Sequence, residues 1–151
     1  MSIDYIVSSL PALEFGAPPQ ISLEAFDELA GGAIAGVLAD WNDLETQLRN
    51  AAALARDGAK WVRPVAGCSL YWRNRVAQCF QEKDVAKRDE MLDKVWWDAA
   101  GELTPPASPL GNGALATYAV RLKIAHKRAA ISKDGGNKVF DALAAESNVN
   151  L

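Results

Sequence analysis

Apolar positions in this chain recur every three or four residues wherever a run is long enough to read, which predicts helices and no sheet. Ile3, Ile6, Val7 and Leu10 open with that spacing, although the β-branched members leave a strand open for so short a run. Pro11, Pro18 and Pro19 end it and impose an extended connector, because each proline fixes φ and turns the preceding residue away from helix. Residues 1–21 therefore read as a short apolar segment followed by a Pro-rich connector. Ser22 then caps a helix that carries Glu24 in its first turn and directs Phe26 and Leu29 to the core, until Gly31-Gly32 weakens or ends it.

The best-patterned helix follows. Asp40 is its expected cap, with residues 34–38 as a backward extension, and Trp41, Leu44, Leu48, Ala51 or Ala52, and Ala55 form one face up to a stop at Asp57-Gly58. Glu45 and Arg49 sit four residues apart in the favourable order for a helical ion pair. Between Lys60 and Phe80 the pattern is harder to read: Trp61, Val62, Val65, Leu70, Tyr71, Trp72, Val76 and Phe80 are apolar, and Pro64 and Gly67 punctuate them. Asp84 caps the next helix, whose face is Val85, Arg88, Leu92, Val95 or Trp96, Ala99 and Leu103.

Thr104-Pro105-Pro106-Ala107-Ser108-Pro109 is a loop by composition, taken as an internal loop over residues 104–111. Asn112 is the expected cap of a long amphipathic helix with Leu115, Tyr118, Ala119, Leu122, Ala125 and Ala129 on its stripe, stopped at Asp134-Gly135-Gly136. A final short helix with Val139, Phe140 and Leu143 inward precedes a polar tail. The pattern predicts an all-α, single-domain bundle of about five to seven helices over residues 1–151.

Composition agrees with a folded core. At 151 residues, 50% hydrophobic and 23% charged, the chain is neither disordered nor in need of a covalent staple. Cys68 and Cys79 lie eleven apart, which suits neither a metal knuckle nor a redox pair, so both are expected to be reduced thiols. No basic leader precedes an apolar run, and no stretch reaches the ~18–20 apolar residues needed to cross a bilayer. The chain is accordingly read as soluble and cytoplasmic.

Charge is distributed unevenly. Residues 1–50 hold eight acids (Asp4, Glu14, Glu24, Asp27, Glu28, Asp40, Asp43, Glu45) against Arg49 alone, while the remainder holds fifteen bases against eleven acids. A net charge of −3 argues against nucleic acid as a partner. No acid occurs between Leu103 and Lys133, so Arg121, Lys123, Lys127, Arg128 and Lys133 make a locally basic helix. Either it docks on an acidic partner or a membrane headgroup surface, or it neutralises the acidic N-terminal helices of the same domain.

Candidate chemistry is sparse. His126, the single histidine, has no carboxylate nearby in sequence to orient it, and reads as a partly exposed helical residue rather than a proton carrier. Gly111-Asn112-Gly113 lacks the third glycine and preceding strand of a dinucleotide site, and there is no phosphate-loop lysine. Asp89, Glu90 and Asp93 alternate with Lys87, Arg88 and Lys94, which makes a solvated charged face the better reading than a metal cluster. No catalytic, cofactor-binding or metal-binding residue is assigned.

Five tryptophans remain. Core packing is their default, with a ligand cleft or an interface as the alternatives. Trp96 and Trp97 point ~100° apart on a helix, so one of them is a candidate for an interface, and Trp97 is taken with the basic helix as the candidate docking surface.

The order Tyr5-Ile6-Val7-Ser8-Ser9-Leu10-Pro11, Pro18-Pro19, Ser22-Leu23-Glu24-Ala25-Phe26, then Trp41, Glu45 and Leu48-Arg49-Asn50, corresponds to no known chemistry and reads as architecture. It resembles the N-terminal half of a small bacterial family encoded beside components of V/A-type rotary ATPases. That family looks like a shortened relative of the all-helical central-stalk component that sits on the membrane proteolipid ring and joins it to the rotating shaft. Weaker similarity continues at Asp93-Lys94-Val95-Trp96, at Tyr118-Ala119 with Leu122-Lys123, and from Gly136 to Phe140. The resemblance implies an all-helical fold like part of that stalk component, and a non-catalytic accessory or rotor-connecting role in a proton- or sodium-translocating ATPase. Its partners would be the central shaft or the proteolipid ring, any membrane contact would pass through them, and no cofactor would be needed. The alternative is a free-standing protein that takes a small ligand in a Trp-rich cleft.

Overall fold

A computed structural model of the chain describes residues 2–31, 38–58 and 69–149, with side chains described as far as residue 132. Among them are six α-helices and no strand. The helices are α1 (Ile3–Ser9), α2 (Leu23–Ala30), α3 (Leu38–Asp57), α4 (Leu70–Cys79), α5 (Val85–Ala100) and α6 (Asn112–Val149), with a short 3-10 turn over Gly101–Leu103 between α5 and α6. The first short apolar run is thus helical.

Side-chain caps set three of the six helix starts. The Ser22 hydroxyl accepts the amide of Ala25 at 3.1 Å, and Asp84 accepts those of Ala86 at 3.0 Å and Lys87 at 3.3 Å. Ser69 caps α4 by accepting from the Trp72 amide. Gly31 and Gly58 follow α2 and α3 at φ of 54° and 76°, where a side chain would be strained.

Several sequence-based boundaries move. α3 already includes Leu38, so Asp40 lies in its first turn rather than capping it, and residues 34–37 lie outside the described part. The first carbonyl of α6 to accept a helical bond is that of Gly111, with Asn112 already helical. α6 also runs through Asp134-Gly135-Gly136 to Val149, so the stop and the separate final helix are not formed. Each glycine costs about 1 kcal/mol in a helix but keeps its N–H, leaving the hydrogen-bond ladder intact. The inward face assigned to Val139, Phe140 and Leu143, and the readings of Trp61 and Cys68, fall outside the described side chains.

α6 is the element on which the rest converges. One side of it contributes Val120, Ile124 and Ala125 to a core with Trp41, Leu44 and Leu48 of α3, Trp72 and Val76 of α4, and Val95 and Trp97 of α5. The other contributes Leu115, Ala119 and Leu122 to a smaller core with Ile6 of α1 and Phe26 of α2. Phe26, Leu48, Val76, Val95, Leu115 and Leu122 are fully enclosed, each adding about 1.5–3 kcal/mol of burial. Leu29 and Val85, expected to face inward, are instead exposed. Phe26 and Ala30 already cover the narrow contact of α2, and Val85 sits at the cap end of α5 beyond its neighbours.

Two polar contacts position α6 against the rest. Thr117 donates to the Ala100 carbonyl at 2.8 Å and lies 2.7 Å from the Thr104 hydroxyl, which locks the turn after α5 onto α6. Gly113 is pressed to the same turn: a Cβ there would collide with the Leu103 carbonyl oxygen.

Candidate functional site

The expected docking surface is largely occupied from within. Trp97 is only 6% exposed, so it is a core residue and not an interface residue; its ring meets Phe15 edge-on at 5.6 Å. Arg121 Nε donates to the Trp97 carbonyl at 3.0 Å, and its guanidinium lies 5.3 Å over the Trp97 ring. Burial lowers the Arg121 pKa from its ordinary value, an effect opposed by the nearby Asp98 carboxylate.

Lys127 and Arg128 are engaged by α5. Lys127 Nζ reaches Asp93 at 2.9 Å and Asp89 at 3.5 Å, while Arg128 Nη1 reaches Asp89 at 2.9 Å and Asp93 at 3.2 Å. The Asp89–Asp93 face is therefore the counter-charge of α6 rather than a solvated strip. Lys127 and Arg128 are thus neutralised within the chain, by acids of α5 and not by those of the N-terminal helices. Successive helical turns present Asp89 and Asp93 to the two adjacent cations, so each carboxylate bridges both.

Lys123 differs from its neighbours on α6. It is exposed, makes no ion pair among the described residues, and stands on the wall of a cleft of about 240 Å³ between α3, α5 and α6. Leu38, Trp96 and Ile124 give this cleft its apolar walls, Trp41 closes its base, and Asn42, Glu45 and Lys123 bring polar groups to it. Among the described tryptophans, Trp96, half-buried, is the one left for a surface role once Trp97 has turned inward. Glu45 is held by Arg49 at 3.0 Å, the helical pair the spacing predicts.

A second cleft, of about 330 Å³, lies between α4 and α5 beside Phe15. Its cations are tied: Arg75 and Lys94 both bind Asp98, at 2.8 and 2.9 Å, and Lys94 lies 5.5 Å over the Phe15 ring. Burial pushes the Asp98 pKa up, but hydrogen bonds from Lys94 and Arg75 outweigh it and leave the carboxyl below its ordinary range. At the base of this cleft Cys79 donates to the Arg75 carbonyl, and burial raises its thiol pKa, the opposite of what an activated nucleophile needs.

The residues that carry the family resemblance serve the fold. Trp41 and Asn50 are buried, the Pro11 carbonyl accepts the Tyr118 hydroxyl at 2.6 Å, and Leu10 packs on the smaller core. Tyr5, 60% exposed on α1, and Leu23 and Glu24, exposed on α2, are exceptions. His126 Nε2 lies 2.8 Å from the Ile21 carbonyl, which requires Nε2 to carry the proton and makes the ring a tie between α6 and the connector before α2. Among the described residues no group of three His, Cys, Asp or Glu could hold a metal ion, and no helix is long and apolar enough to cross a membrane. Comparison of the chain with protein families, with characterised proteins and with solved structures finds no match.

Proposed function

We propose that this chain is a non-catalytic adaptor acting by protein–protein contact, and that its partner is a V/A-type ATPase, which it serves as an accessory or rotor-connecting component. The sequence resemblance supplies the partner. Support for the mode of contact comes from the N-terminal acids: among the described residues Glu45 is the one of the eight with an ion pair, and Glu24, Asp27, Glu28, Asp40 and Asp43 are exposed. On α2 these acids lie beside exposed Leu23 and Leu29, a combination of charge and apolar surface suited to a basic, partly apolar partner. The docking face therefore shifts from the basic helix to the acidic one. Arg121, Lys127 and Arg128 of α6 already bond to α5, and separating them would forfeit those bonds.

Affinity capture from native membranes followed by mass spectrometry tests this. ATPase stalk or ring proteins should be enriched with the native chain, and enrichment should fall with added salt. Reversing Asp27 and Glu28 to Lys, in the last turn of α2 where a cation suits the helix dipole, should abolish it while thermal unfolding stays near the native midpoint. Capture without ATPase proteins would remove the ATPase from the reading, and capture insensitive to both salt and charge reversal would remove the acidic face.

A further inference from the structure

We infer that the cleft between α3, α5 and α6 is a binding site for a small organic monocarboxylate with a flat apolar body. This goes beyond the adaptor reading and stands independently of it. The volume of about 240 Å³ lies just below the usual range for ligand sites and sets the scale of the occupant, a single-ring molecule rather than a nucleotide. The apolar part is matched by Trp96, Leu38 and Ile124 over the nearly buried Trp41. The charge is matched by Lys123, a lysine on α6 whose ammonium makes no ion pair among the described residues. Glu45 faces the same cleft but is neutralised by Arg49 at 3.0 Å, so its repulsion toward an anion is reduced. The next cation on α6, Lys127, is held by Asp93, which leaves Lys123 as the ammonium available to this cleft. Asn42 adds an amide that can donate to the second carboxylate oxygen.

Phenylacetate is a suitable probe, with phenethyl alcohol and phenethylamine as controls of the same body but without the anion. On the full chain, titration should move the indole N–H resonances of Trp41 and Trp96 saturably, leaving Trp72 in place. Lys123→Gln should weaken binding about tenfold or more, the loss of one charge-assisted hydrogen bond, whereas Lys123→Arg should retain most of it. Because Lys123 is exposed and has no ion pair among the described residues, both variants should unfold at the native midpoint. The alcohol should bind as weakly as phenylacetate does to Lys123→Gln, and the amine more weakly still. Absence of a saturable shift with phenylacetate overturns the site. So does a titration that Lys123→Gln leaves unchanged, or one that moves Trp72 in preference to Trp41 and Trp96.

Discussion

The Tyr118 hydroxyl donates to the Pro11 carbonyl at 2.6 Å, joining α6 to the end of α1 across 107 positions of chain. The ring also stacks on Phe26 at 5.4 Å, so one side chain holds both N-terminal helices to α6. Pro11 stops α1 where its carbonyl is left free to accept.

Removing that hydroxyl should be felt in stability and in its pH dependence. Tyr118→Phe should cost about 1–2 kcal/mol, since a partly buried acceptor loses its donor. Burial raises the Tyr118 pKa above its ordinary 10.0. The folded chain then keeps a proton that the unfolded chain releases. The stability this group contributes is complete below about pH 10 and is lost as pH rises through the raised value. Denaturant unfolding of both proteins from neutral to alkaline pH should show the extra decline in the native chain and not in Tyr118→Phe.

The clamp between α5 and α6 should reveal itself as a ranking. Asp93→Asn weakens two charged bonds around a side chain only 12% exposed and should cost roughly 2–3 kcal/mol. Lys127→Met removes a half-exposed partner and should cost under about 1 kcal/mol. Equal losses from thermal or urea unfolding would mean that the network does not depend on burial.

Trp97→Ala should lower stability by about 3–5 kcal/mol, on a par with Trp41→Ala, because both rings lie in the larger core. An interface tryptophan would instead leave the unfolding midpoint near that of the native chain. The same denaturation series on both variants reads the difference.

Two glycines on either side of Asn112 should respond differently to alanine. Gly113→Ala places a methyl group against the Leu103 carbonyl and should destabilise by roughly 1–3 kcal/mol despite the better helix propensity of alanine. At Gly111 the same methyl would meet Ser108 at 3.5 Å, an ordinary contact, and stability should stay within about 0.5 kcal/mol. Thermal unfolding of the two variants decides it.

The candidate cleft was legible only in pieces. A Trp-rich cleft and the basic residue Lys123 were both readable, but as separate features on separate helices. Trp96 joins them, and the choice between it and its neighbour depends on the rotation of α5. That rotation follows the burial of Trp97 against Phe15, a residue in a connector with no periodicity to announce its contacts.

The order of residues by itself determined that this chain is helical, where the caps at Ser22 and Asp84 and the proline breaks fall, and that Trp41 is buried. Each of these depends on groups within about four positions of one another, the reach of a helical turn or a cap. Only the tertiary structure decided what the charges do. Lys127 meets Asp93 across 34 positions and Arg128 meets Asp89 across 39, and neither distance is encoded by any local spacing. The run of α6 through Gly135-Gly136 was not legible either, since a glycine weakens a helix by about 1 kcal/mol without removing its amide from the ladder. Ion pairing across helices is settled by which faces the apolar stripes bring together, and that is a property of the packed molecule rather than of any one segment.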